Sequence, residues 1–244
     1  MRQALLALAV VLLAGGCGSG GTGGGDSNEH ATVFAAASLT EVVPQIDPAA
    51  TYNFAGSDDL ATQITEGAPA DVFAAASTKY PHQLYDEGLV DKPEVFATNR
   101  LVLIVPKDNP AGIQSVDDLR NPDVKLVIGA EGVPIGDYTR TVLENMGATD
   151  VLDQVVSEED DVKGVVGKVS LGEADAGFVY VTDVKPVEDK VTSIELPAEA
   201  QAKVQYEIAV VKEAPHHDAA HEFVEQVLSE DGQAKLQAAG FGPP

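Results

Sequence analysis

Thr32-Val33-Phe34-Ala35-Ala36-Ala37-Ser38-Leu39-Thr40-Glu41-Val42-Val43 is the stretch on which the fold turns. The apolar run Val33 to Ala37 reads as a strand, and it halts at Ser38. A helix-like pattern, Leu39 to Ile46, follows directly, with Pro44 limiting it. Ser38 and Glu41 spell Ser-x-x-Glu, the signature of a capping box. A strand running straight into a helix start is the repeating unit of α/β folds. The first amide groups of a helix have no intrahelical partner and carry about half a positive charge, which suits an anion. The pattern returns in Ala55-Gly56-Ser57-Asp58-Asp59-Leu60. Two hydroxyl-bearing helix starts can therefore face one small oxyanion, although by spacing alone both serines can also be read as plain N-caps.

Outward from this stretch the alternation continues. Thr51 to Phe54 and Ala70 to Ala76 read as strands. Ser57 to Glu66 reads as a helix, with Leu60 and Ile64 on one face and Gly67 closing it, and a further helix through Tyr80, Leu84 and Tyr85 ends at Gly88. Leu101 to Val105 is a continuous apolar run, as in a strand buried on both faces. Pro106, Pro110 and Gly112 then break the pattern, which suggests a passage into a second lobe. There, Ser115 to Leu119 predicts a short helix, Lys125 to Gly129 a strand, and Gly132-Val133-Pro134-Ile135-Gly136 a loop opening a helix to Met146. Val155 and Val156 suggest a strand, and Asp160 can cap a helix whose Val162, Val165, Val166 and Val169 share a face. Strands are predicted over Ala176 to Val181, Val191 to Leu196 and Val204 to Val211. Two C-terminal helices close the chain, one with Ala220, Phe223, Val224, Val227 and Leu228 on one face, the other over Gly232 to Ala239.

The expected organisation is a signal peptide over 1–16, a tether over 17–31, lobe 1 from 32–105 with 205–244, and lobe 2 from 106–204. A ligand cleft lies between such lobes, beyond the C-terminal ends of the strands, where Ser38 and Ser57 would sit.

Composition narrows the function. Hydrophobic residues make up 44% of the chain, which argues against disorder. Acidic residues outnumber basic ones 39 to 15, for a formal charge of −24, and no basic patch stands out, so nucleic acid is not expected as a partner and an anion would have to be held by local dipoles. Arg2 precedes the apolar run Ala4 to Leu13, which is too short to span a bilayer. Ala14-Gly15-Gly16-Cys17 resembles a lipobox, so the single cysteine is the expected lipidation site rather than a leftover thiol. The Gly- and Ser-rich segment Gly18 to Asn28 is the expected flexible tether, holding a domain at the outer face of the cell membrane. Gly-x-Ser-x-Gly is missing, and no histidine falls in a segment placed at the cleft, so an enzyme is not expected. His217 and His221, four residues apart beside His216, could bind zinc, but they read as an exposed polar face, and no metal site is assigned. Asp153, Glu158, Glu159, Asp160 and Asp161 read as a solvated acidic face.

Several segments, in this order and spacing, carry a family likeness: Phe34-Ala35-Ala36-Ala37-Ser38-Leu39, Phe54-Ala55-Gly56-Ser57, Gly67-Ala68-Pro69-Ala70-Asp71-Val72-Phe73, Asn99-Arg100-Leu101-Val102-Leu103, Val133-Pro134-Ile135-Gly136-Asp137-Tyr138, Gly177-Phe178-Val179-Tyr180 and Tyr206-Glu207-Ile208-Ala209-Val210. On them the chain, from about Val33 to Phe241, resembles the molybdate-binding proteins of ABC transporters, which are type II periplasmic binding proteins. The resemblance implies a two-lobed α/β fold holding a tetrahedral dianion with neutral donors. By motif these are the hydroxyls and amides of Ser38 and Ser57, the amides of Ile135 and Val162, and the hydroxyl of Tyr180, which is otherwise readable as a core tyrosine. It further implies an extracytoplasmic, monomeric carrier that passes molybdate, and tungstate with it, to a membrane ABC permease, with no cofactor besides the ligand. Two positions depart from the pattern: Asp58 follows Ser57 where a small neutral residue is common, and Ile135 stands where a small residue is frequent. Asp58 reads either as a first-turn carboxylate offsetting the helix dipole or as an acceptor for the proton of hydrogen phosphate. Phosphate or sulfate is accordingly the alternative ligand.

Overall fold

A computed structural model describes residues 30–244. The expected signal peptide 1–16, Cys17 and all but the end of the tether lie outside the described residues. In chain order the elements are β1 (Thr32–Ala36), α1 (Val43–Ile46), β2 (Thr51–Ala55), α2 (Ser57–Thr65), β3 (Val72–Ala75), α3 (Lys79–Asp86), β4 (Glu94–Asn99) and β5 (Leu101–Pro106). They continue with β6 (Leu126–Gly129), α4 (Pro134–Asn145), β7 (Val155–Glu159), α5 (Val162–Ser170), β8 (Ala176–Tyr180), α6 (Val181–Val184), β9 (Val191–Glu195), β10 (Val204–Val210), α7 (His217–Leu228) and α8 (Glu230–Ala239).

Two sheets result, one per lobe. The first has the order β2-β1-β3-β10-β4, the second β7-β6-β8-β5-β9. β1 lies parallel to β2 and β3, while β10 returns antiparallel between β3 and β4. In the second sheet β6 is parallel to β7 and β8, and β5 is antiparallel to β8 and β9. The central strands are buried along nearly their whole length because helices cover both faces. On lobe 1, Leu60 and Ile64 of α2 and Leu84 of α3 pack with Phe34 and Phe73 on one face, and α1, α7 and α8 cover the other.

The structure corrects several expectations. The boundary placed between Val105 and Pro106 comes too late, because β5 belongs to the second sheet and the chain crosses at Asn99–Leu101. An apolar run reports burial but not the sheet in which a strand is buried. β4, with the mixed composition Glu-Val-Phe-Ala-Thr-Asn, has no clean alternation and carried no strand signal. The helix expected over Leu39 to Ile46 is split into a 3-10 turn at Ala37–Leu39 and the short α1, since Pro44 has no N–H to donate and can sit only in a first turn. The Ser38–Glu41 capping box does not form. Asp161, not Asp160, caps α5, accepting from the Gly164 amide at 2.9 Å.

The two crossings are tied together. The side chain of Gln201 accepts from the Leu101 amide and donates to the Leu101 carbonyl, both at 2.9 Å, as a strand neighbour would. Across the cleft Tyr80 donates to the Gly132 carbonyl at 2.5 Å, and Lys79 pairs with Asp137 at 3.3 Å. At Gly56 a Cβ would lie 2.5 Å from the Asp160 carbonyl oxygen, so the lobes are shut on each other there.

Candidate functional site

The C-terminal ends of β1, β2, β3, β6, β7 and β8 point into the space between the sheets. There they enclose a hollow with an empty volume of about 210 Å³, counting its mouth. Ser38, Ser57, Ile135, Val162 and Tyr180 all line it, so residues separated by up to 142 positions meet in one place.

Each is positioned by a local device. Ser38 sits in the 3-10 turn after β1, buried, with its hydroxyl 2.9 Å from that of Tyr206 on β10. Ser57 is the first residue of α2. Its oxygen accepts from the Ala76 amide at 3.0 Å, which leaves the hydroxyl proton available to the hollow. Ile135 and Val162 occupy the first turns of α4 and α5, where amides lack intrahelical acceptors. Pro134, at the start of α4, has no N–H to leave unsatisfied. Gly136 is required by packing: a Cβ there would fall 2.1 Å from the Ala130 carbonyl oxygen, which lets α4 press its start against the end of β6.

Tyr180 ends β8 and is 1% exposed, yet its hydroxyl has no hydrogen-bond partner among the described residues. Burial holds its pKa well above the ordinary value, so it stays a protonated donor. An orphaned buried hydroxyl costs about 1–3 kcal/mol, which an acceptor in the hollow would recover.

The electrostatics are those of dipoles rather than ions. The starts of α2, α4 and α5 converge on the hollow, and no lysine, arginine or histidine lines it. One charged side chain does: Asp161, whose Oδ1 is engaged in capping α5. Asp161 is thus a helix cap on the lining and not part of the solvated acidic face that the sequence suggests. Its position directly before an apolar helical stripe was the available signal for an N-cap. Glu159 likewise departs from that reading, held by Lys168 and Ser157.

Asp58 is not part of the lining. Its Oδ1 is buried without a hydrogen-bond partner, beside Gly56. Burial raises its pKa first of all. Its own and the Asp59 amide oppose that shift, and the charges of Asp59 and Asp137 add to it.

Tyr206 is not singled out by the sequence as a neighbour of the site, because nothing in its spacing distinguishes it from a core tyrosine. It is fully buried, contacts Ser38, accepts from Asn99 Nδ2 at 3.4 Å, and meets the Tyr180 ring edge-on at 5.8 Å between centroids. Asn99 also donates to Thr182 at 2.9 Å, which carries the network across the chain crossing into lobe 2.

This arrangement can bind an oxyanion through hydroxyl and amide donors and exclude water by closure. Comparison with known proteins bears on which one. The family model for bacterial extracellular solute-binding proteins matches residues 31–242. The chain is similar to a molybdate-binding protein of Mycobacterium tuberculosis, 40% identical over 222 residues that cover 87% of this chain and 84% of the relative. It is 30% identical to a putative ABC transporter substrate-binding lipoprotein of Bacillus subtilis, covering 97% of this chain and 96% of that one. In structure it resembles the periplasmic molybdate-binding protein of Azotobacter vinelandii, with a TM-score of 0.78 and 21% identity, over 88% of this chain and all (100%) of that one.

Proposed function

We infer the function from one premise: the chain belongs to the bacterial extracellular solute-binding protein family, among its molybdate-binding members. It captures molybdate, and tungstate with it, outside the cytoplasm and delivers it to a membrane ABC permease. The observation that carries the reading is the unpartnered Tyr180 hydroxyl, facing the same hollow as Ser38, Ser57 and the starts of α4 and α5.

Molybdate at neutral pH is a fully deprotonated dianion and only accepts hydrogen bonds, so a site of donors matches it. Ser38, Ser57 and Tyr180 contribute hydroxyls, and Ile135 and Val162 contribute amides. Each bond to a charged group is worth roughly 1.5–3 kcal/mol. About six would supply on the order of 10 kcal/mol, enough for micromolar affinity or better after ordering costs. Helix starts supply this without the desolvation penalty of a buried ion pair. Sulfate is disfavoured by its smaller size.

A second reading, hydrogen phosphate, is favoured by one observation. Asp161 lines the hollow, and its second carboxylate oxygen could accept the phosphate proton. A thermal-shift panel separates the two. Strong stabilisation by molybdate and tungstate, with little by sulfate or phosphate, supports the first reading; stabilisation by phosphate alone supports the second.

No catalytic role is assigned, in keeping with a family of solute-binding proteins. No cofactor or resident metal enters this function, and the carrier acts as a monomer. Among the described residues no helix is long and apolar enough to cross a membrane. Attachment by a lipid on Cys17 is a reading supported by the residues Ala14-Gly15-Gly16-Cys17 and by the likeness to a putative lipoprotein.

A further inference from the structure

We propose that Asp91, His217 and His221 form a binding site for a divalent transition-metal cation of the zinc class, separate from the oxyanion hollow. Their ligand atoms all lie within 4.8 Å of one another. His217 and His221 stand one turn apart on α7, with ring centroids 4.5 Å apart. Asp91 comes from the segment between α3 and β4, far away in the chain.

Backbone pairing fixes the meeting point. Val90 bridges to Val211, the Asp91 amide donates to the Val210 carbonyl at 2.8 Å, and the Lys212 amide donates to the Leu89 carbonyl at 2.8 Å. Val211 in turn donates to the Asp71 carbonyl, at the N-terminal end of β3, whereas the hollow lies at the other end, by Ala76. The cluster is therefore on the edge of lobe 1 opposite the cleft. His216 is engaged elsewhere: its amide donates to Asp71 Oδ1 at 2.7 Å, and its ring Nδ1 lies 3.0 Å from Asp71 Oδ2. That contact anchors the start of α7 and so sets the direction of His217.

The chemistry suits zinc. Two imidazoles and one carboxylate are a common three-ligand set, with a fourth position left to water. Arms of about 2.0 Å place tetrahedral ligand atoms about 3.3 Å apart, a gap that exposed side chains close by small rotations. Lys212 pairs with Asp91 Oδ1 at 2.9 Å, so an ammonium already stands where positive charge is favoured, and it competes with the metal. Asp218 and Glu222 on α7 add negative charge nearby, on a chain of formal charge −24 that concentrates cations. A bound ion would staple the first turns of α7 to the Asp91 segment and stabilise lobe 1.

The test is calorimetric titration of the metal-stripped protein with zinc chloride at pH 7.5, with melting temperature read in parallel and circular dichroism confirming that the variants fold. The expected result is one saturable site and a higher melting temperature. His217→Ala, His221→Ala and Asp91→Asn should each weaken binding by at least about tenfold, and Lys212→Gln should strengthen it. Absence of saturable binding to the wild-type protein would overturn the proposal. So would unchanged affinity in His221→Ala, which places zinc elsewhere, or in Asp91→Asn, which leaves only a histidine pair.

Discussion

The Ser38 hydroxyl lies 2.9 Å from the hydroxyl of Tyr206, a residue 168 positions later that is itself buried on the last strand of lobe 1. Tyr206 also accepts from Asn99, so its own proton is free to go to the Ser38 oxygen. Ser38 then keeps its proton for the ligand. Tyr206→Phe removes that orientation without opening a cavity. Molybdate affinity should fall by about 1 kcal/mol, a roughly fivefold rise in Kd by calorimetry. An unchanged Kd would show that Ser38 is oriented by something else.

Tyr180→Phe should have opposite effects on binding and on stability. The hydroxyl has no hydrogen-bond partner among the described residues, so deleting it breaks no bond within the protein and removes a buried polar group. The ligand-free protein should become more stable, by about 1 kcal/mol in urea unfolding, while molybdate affinity falls by about 1.5–3 kcal/mol. Loss of both would mean that Tyr180 is a structural tyrosine only.

Gly56 is expected to gate closure. Its backbone, at φ −58° and ψ 142°, is open to any residue, so alanine brings no backbone strain. The added methyl would meet the Asp160 carbonyl oxygen at 2.5 Å and Asp58 Oδ1 at 2.6 Å. Gly56→Ala should therefore hold the lobes apart and weaken molybdate binding at least about tenfold, with a larger radius of gyration by small-angle scattering in the presence of ligand. Tight binding by a compact variant would contradict this.

Asp183 imposes a pH dependence on stability. It is 1% exposed, and burial raises its pKa to about 6, with the Lys163 charge 3.2 Å away offsetting only part of that cost. The folded pKa lies above the unfolded one, so between about pH 4 and pH 6 the folded state binds the extra proton and stability falls as pH rises. Above pH 6 the loss is complete, on the order of 3 kcal/mol. Asp183→Asn should remove this slope. Urea unfolding of both proteins from pH 4 to 7 measures the difference, and parallel curves would refute it.

Much of the architecture was legible along the chain. Strand–helix alternation, glycine stops and the two Ser-bearing helix starts are local patterns, and they placed Ser38 and Ser57 at one crevice; Ile135, Val162 and Tyr180 came from the family resemblance, and all five line one hollow. Mixed patterns were not legible. β4 shows neither period, and β5 shows burial without direction, so the crossing was placed after the strand instead of before it.

What the amino-acid order determined alone is most of the elements, β4 excepted, since helix and strand periods, proline and glycine act over a few residues. It also determined the net charge, which denies an anion any long-range attraction to the protein. Only the tertiary structure decided which groups share a hollow or an edge. Tyr206 beside Ser38, Asp161 on the lining with Asp58 off it, and Asp91 beside His217 and His221 all depend on sheet order and lobe closure. Those contacts join residues distant in the chain, and no local periodicity encodes which distant strands become neighbours.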